Sequence, residues 1–74
     1  MPAIRNRIRE LRQQRGGMTQ QQLAERVGVT RQTVIAIEAD RYAPSLATAF
    51  AIAVALQVPL EQVFQYLPDG DRRG

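Results

Sequence analysis

Two capped helical segments meeting at a glycine constrain this chain more than any other feature. Over Thr19–Glu38, Thr19 with Gln22 three positions later forms a capping box, and Met18 can close a hydrophobic staple on Leu23. The spacing therefore predicts a helix that starts at Gln20 in a fixed direction. Gly28 stops it. Glycine accepts a positive φ at no steric cost, so the chain can reverse within about three residues and restart after Thr30, the next N-cap. Val29 and Val34 repeat the staple. Caps and staples fix geometry only, so function has to come from what the second helix displays.

Composition narrows the chemistry. The chain has 74 residues, no cysteine and 45% apolar content, which fits one small domain without disulfides or a Cys/His metal site. Ten arginines, no lysine and seven acids leave a net charge of +3, which favours an anionic partner without identifying it. There is no histidine, no paired-carboxylate motif and no glycine-rich phosphate loop, so the usual carriers of nucleophilic, metal and acid–base catalysis are missing. Neither an enzyme nor a cofactor is expected. The N-terminus is arginine-rich and amphipathic, unlike a signal peptide. The longest apolar run, Leu46–Leu56, is interrupted by Thr48 and falls well short of the roughly 20 residues that span a bilayer, so it reads as a buried helix and the protein as cytoplasmic.

Periodicity along the chain predicts an all-α five-helix bundle with a tail. Ile4, Ile8 and Leu11 recur at helical spacing among Arg5, Arg7, Arg9, Arg12 and Arg15, giving an amphipathic first helix that ends near Gly16-Gly17. Helices two and three follow as above, with the helix–turn–helix unit at 20–39. Asp40 ends the third, and Pro44 forbids Ala43 from continuing helically. Ser45 caps a fourth helix with Leu46, Ala49, Phe50, Ala53 and Leu56 on one face and Ile52 and Val54 elsewhere; apolar nearly all round, it is expected at the centre of the bundle. Pro59 starts a fifth helix carrying Leu60, Val63, Phe64 and Leu67 as one stripe. The domain is thus expected over 1–67, with 68–74 as a disordered tail.

At about 100° per residue, Val34 and Ile37 of the third helix point inward, while Arg31, Gln32, Ile35 and Ala36 point outward. These four are the candidate base-reading set. Arginine can grip guanine O6 and N7, and glutamine adenine N6 and N7, each with roughly 1–3 kcal/mol of discrimination. Both sit in the first helical turn, the part that a helix-turn-helix inserts deepest into the major groove of DNA. Ile35 either packs on a thymine methyl or is partly buried against the second helix. Ala36 is small enough for close approach. Gln20, at the positive end of the second helix, is placed to meet a phosphate, and Arg41 and Tyr42 are further phosphate candidates. Tyr42 could equally pack under its own loop.

The segment Arg12–Phe64 resembles the small lambda-repressor-like, Cro-like and Xre-type regulators of bacteria and phages, above all in TRQTV-IAIE followed by a short loop and Y-x-P-S-L. Ala24, Gly28, Val34 and Ile37 match the motif's small residue, turn glycine and core aliphatics. The resemblance implies a five-helix domain that binds double-stranded operator DNA as a homodimer. It places Gln20, Arg31, Gln32 and Ala36 at DNA-contact positions, and Thr33 where phosphate or thymine is often touched. It also implies an ion pair between Arg12 and Glu38.

Three departures from that pattern stand out. Gly16-Gly17-Met18 makes the first link one residue longer than usual. Ala39-Asp40-Arg41 replaces the common Asn-Gly-Lys, leaving Asp40 to take a left-handed conformation. Gln57 replaces a frequent glycine after helix four. One short reading helix covers about five base pairs, so a second copy is expected, with half-sites about 34 Å apart. Val63, Phe64, Tyr66 and Leu67 are the candidate dimer surface; Val63 and Phe64, with Leu60, could instead close the monomer core. The favoured reading is a homodimeric regulator, a repressor by preference, acting on a palindromic operator without membrane or small-molecule effector. The alternative is an antitoxin that represses its own operon and binds a toxin protein.

Overall fold

The computed structural model describes residues 3–68. Its elements are β1 (Ala3–Asn6), α1 (Ile8–Gln14), α2 (Gln20–Val27), α3 (Arg31–Glu38), α4 (Leu46–Leu56), α5 (Leu60–Val63) and β2 (Phe64–Leu67). The tail expected over 68–74 lies, beyond Pro68, outside the described residues.

The central helices begin and end where their caps dictate. The Thr19 hydroxyl accepts the Gln22 amide at 3.0 Å, and the Gln22 side chain accepts the Thr19 amide at 2.9 Å. Gly28 takes φ 85° as the left-handed C-cap of α2. Thr30 and Ser45 cap α3 and α4 by accepting the amides of Thr33 and Thr48. The longer first link is closed: the Met18 amide donates to Arg12 O at 3.0 Å, and both Gly16 and Gly17 hold φ 78°. Asp40 and Gln57 both adopt left-handed conformations, with φ 60° and 59°.

Five helices form a mostly helical fold as expected, but the described ends of the chain depart from a pure bundle by making an antiparallel two-stranded sheet. Ala3 pairs with Leu67, Ile4 with Tyr66, Arg5 with Gln65 and Asn6 with Phe64. The first helix starts late because the Asn6 carboxamide oxygen accepts the Ile8 amide at 3.1 Å, the local side-chain competition that makes asparagine a turn residue. Ile4 therefore belongs to a strand and is 46% exposed. The fifth helix stops after one turn, at Val63, because Phe64–Leu67 pair with β1, and the aromatic Phe64 and Tyr66 suit a strand. A two-stranded ribbon is marginal alone. This one is anchored to the helices by Arg7 N donating to Val63 O at 2.9 Å.

The core is built from Ile8, Leu11, Met18, Leu23, Ala24, Val34, Ile37, Ile52, Ala53, Leu56 and Val63. α4 is not the enclosed central helix that its composition predicts. Ala49, Ile52, Ala53 and Leu56 are buried, but Leu46, Phe50 and Val54 stand 69%, 51% and 76% exposed. Apolar character around the whole helix outruns the surface that neighbours of this size can cover.

Candidate nucleic-acid interface

The second half of the helix-turn-helix unit is held from behind and open in front. Val34 and Ile37 anchor α3 in the core at 1% exposure each. On the other side, Arg31 and Gln32 are exposed, and Thr33, Ile35 and Ala36 are half-buried. Thr33 is committed to the helix start: its amide donates to Thr30 Oγ1 at 3.2 Å, and the two hydroxyls lie 3.0 Å apart.

Polar contacts that cross the fold fix the C-terminal end of the helix. The Arg12 guanidinium donates from Nε to Glu38 Oε2 at 2.6 Å and from Nη2 to Oε1 at 3.1 Å. Its Nη1 donates to Met18 O at 2.7 Å, so one side chain joins α1, the turn before α2 and the end of α3. The Gln20 side chain completes this cluster, donating from Nε2 to Glu38 Oε1 at 3.1 Å. That orientation turns part of the Gln20 amide inward. Thr19 caps only Gln22, leaving the Gln20 and Gln21 amides at the positive end of α2 for an outside acceptor.

A second cluster closes the same end of α3 from the side of β1. Asn6 Nδ2 donates to Ile37 O at 2.8 Å and to Asp40 Oδ1 at 2.9 Å, and Arg5 Nε donates to Asp40 Oδ2 at 3.1 Å. Strand β1 thus adds a second donor to the Ile37 carbonyl, which also accepts the Asp40 amide at 3.0 Å, and pins the left-handed residue that sets the course of the next loop. Neither Asn6 nor Arg5 stands out in the sequence for this role. The only advance signal is Asp40 standing where glycine is frequent, since a carboxylate there can recruit a partner that glycine cannot.

An open groove beside α3 is lined by Arg9, Gln13, Gln20, Gln21 and Arg31, with Arg12 and Glu38 at its floor. Arg9, Gln13 and Gln21 extend the polar rim beyond the residues singled out from sequence; for Arg9 and Gln13 the signal was the arginine-rich outer face of the first helix. Arg9, Arg31 and Arg41 form no ion pair with another described residue, unlike Arg7, whose guanidinium is held above its ordinary pKa by its hydrogen bond and charge contact with Glu10. Their positive charge is directed at solvent. Arg41 and Tyr42 are exposed in the loop after Asp40. Of the residues considered for a partner surface, Val63 lies in the monomer's own core at 0% exposure, Phe64 and Leu67 are half-buried, and Tyr66 is exposed.

A capped, buttressed helix presenting arginine and glutamine from its first turn, ahead of a cationic rim, defines the class as a helix-turn-helix DNA reader. The helix-turn-helix family model matches residues 8–63. An HTH-type transcriptional regulator of Methanothermobacter thermautotrophicus is 53% identical over 68 residues, covering 90% of this chain and 97% of that one. The HTH-type regulator YgzD of Bacillus subtilis is 49% identical over 61 residues, 82% of this chain and 91% of its own length. The immunity repressor of Bacillus phage phi105 is 40% identical over 60 residues, which are 81% of this chain and 41% of that protein. The chain belongs to the Xre and Cro/CI-type helix-turn-helix family of DNA-binding transcriptional regulators, a family that is generally non-enzymatic. No helix among the described residues is long and apolar enough to cross a membrane.

Proposed function

We propose that this regulator binds a palindromic operator as a homodimer, inserting α3 into the major groove and acting by preference as a repressor. Arg31 and Gln32 read base edges from the first turn, Ile35 packs on a thymine methyl, and Ala36 permits close approach. Gln20 through the amide end of α2, with Thr33, Arg41 and Tyr42, contacts the phosphates that fix register. The observation that carries this reading is the exposure of Arg31 and Gln32 on a helix whose opposite face is sealed in the core and whose end is locked by Arg12 and Glu38. A phage repressor among the relatives supports the repressor sign.

The test is selection of bound duplexes from a random pool, then titration of the winner with wild type and Gln32→Ala at several salt concentrations. A palindromic winner with half-sites about one helical turn apart, a steep salt slope and relaxed base preference in the variant is the expected result. Selection without enrichment, or binding indifferent to Gln32, overturns it.

A further inference from the structure

The exposed apolar stripe of α4 is a large feature that DNA reading does not use. Leu46, Phe50 and Val54 stand at i, i+4 and i+8, so they line one side of the helix, next to its buried edge at Ala49 and Ala53. No charged residue occurs anywhere from Tyr42 to Leu60. This is the longest neutral segment of the sequence, and part of it faces water.

We infer that this stripe is the two-fold contact of the homodimer, with α4 packing antiparallel against α4 of a second copy about Phe50. The inference rests on the homodimer reading above and names its surface. Three properties fit a second copy. First, the stripe is self-complementary: an antiparallel pairing centred on Phe50 sets Phe50 against Phe50 and Leu46 against Val54, as an isologous contact requires. Second, it has no charge, so it offers nothing to an acidic or basic partner and brings no like charges together when it meets itself; charged residues are depleted at interface cores for the same reason. Third, the area is adequate. Three side chains at these exposures present on the order of 300 Å² of apolar surface per copy, within the range of the largest apolar patch on a monomer, which is often functional. Doubled by symmetry and widened by the exposed Ala43 and Ala47, the contact reaches the roughly 1,000 Å² that a specific interface needs. Ala47 and Ala51 flank the stripe and let the two helices approach to about 8 Å.

The full chain contains no cysteine, so a single introduced thiol reports the geometry. Wild type is expected to sediment as a dimer across micromolar concentrations and Phe50→Glu as a monomer with an unchanged circular dichroism spectrum. An equimolar mixture of Phe50→Glu and Phe50→Lys is expected to dimerise again, because only a contact on the two-fold axis sets position 50 against itself. Phe50→Cys is expected to cross-link under mild oxidation while Glu25→Cys does not. If Phe50→Glu loses helicity, Val54→Lys, at the most exposed of the three positions, replaces it. Dimers that survive these charges, with no cross-link at position 50, overturn the α4 surface and leave the homodimer reading standing with its contact elsewhere, Tyr66 foremost. Wild type that is monomeric at every concentration, and that occupies the two half-sites of a selected duplex independently, overturns both and gives the stripe to a different protein.

Discussion

Arg12 and Glu38 are joined by two hydrogen bonds of 2.6 and 3.1 Å with side-chain exposures of only 11% and 9%. They stand 26 positions apart in the chain, one on the first helix and the other at the last residue of the reading helix. The third guanidinium nitrogen and the carboxylate also find partners: Arg12 Nη1 reaches Met18 O, and Glu38 takes a further bond from Gln20. The pair is therefore a fully satisfied polar node, the condition under which a nearly buried ion pair specifies geometry instead of straining it.

Removing one partner should leave the other charge nearly buried and uncompensated. Glu38→Ala is expected to cost about 3–5 kcal/mol of folding stability. Glu25→Ala, whose carboxylate is exposed and among the described residues accepts only from Gln21, is expected to cost about nothing. Urea denaturation of the two variants beside wild type checks this, and equal midpoints would contradict the assignment of the node.

Asn6 and Asp40 should be energetically coupled. Asn6→Ala removes the donor to Ile37 O and to Asp40 and the acceptor for the Ile8 amide, and should cost about 1–3 kcal/mol. Asp40→Gly relieves the left-handed φ of 60°, a gain of about 1 kcal/mol, but forfeits the hydrogen bonds from Asn6 and Arg5. In the wild-type background these effects oppose each other and the change should be small. In the Asn6→Ala background Asp40→Gly should stabilise. Additive changes in the four-member cycle would show that strand β1 does not hold the end of α3 through this pair.

Gln57 presents the same backbone conflict with a weaker compensation. It closes α4 at φ 59°, and its side chain accepts a hydrogen bond from the exposed Arg15. An exposed bond of that kind contributes little, so Gln57→Gly should raise the thermal midpoint, by the equivalent of about 0.5–1 kcal/mol. Arg15→Ala should leave it nearly unchanged. A lower midpoint for Gln57→Gly would mean that the side-chain hydrogen bond outweighs the conformational cost.

The parts of the fold legible in the sequence are those written in short-range chemistry. Thr19, Gly28, Thr30 and Ser45 each act within three or four residues, and α2, α3 and α4 start and stop where they dictate. The outward display of Arg31 and Gln32 follows from the same local arithmetic once Val34 and Ile37 are placed inside. The sheet was not legible. Ile4, Ile8 and Leu11, and likewise Leu60, Val63, Phe64 and Leu67, satisfy helical spacing, but four-residue strands at opposite ends of the chain are decided by their pairing with each other. Asn6 escaped notice because its partners, Ile37 and Asp40, are more than thirty positions away. The exposed side of α4 escaped notice because hydropathy reports what a helix could bury, not how much neighbouring surface exists to bury it.

Arg9 and Arg31 border the same groove, yet they should fail differently when truncated. Arg31 opens the reading helix, where a guanidinium can engage a guanine edge in two bonds, so Arg31→Ala should cost about 1–3 kcal/mol on the selected duplex and relax preference at one base pair of each half-site. Arg9 is on α1, off the reading helix, so its expected contact is with the phosphate backbone. Arg9→Ala should weaken binding to all duplexes alike and lower the slope of log affinity against log salt by about one for each phosphate that is no longer neutralised. Titrating both variants against the selected site and a single-base-substituted site, at three or more salt concentrations, separates the two roles. A base-specific loss from Arg9→Ala, or a uniform loss from Arg31→Ala, would mean that the helix enters the groove in a different orientation from the one its core packing implies.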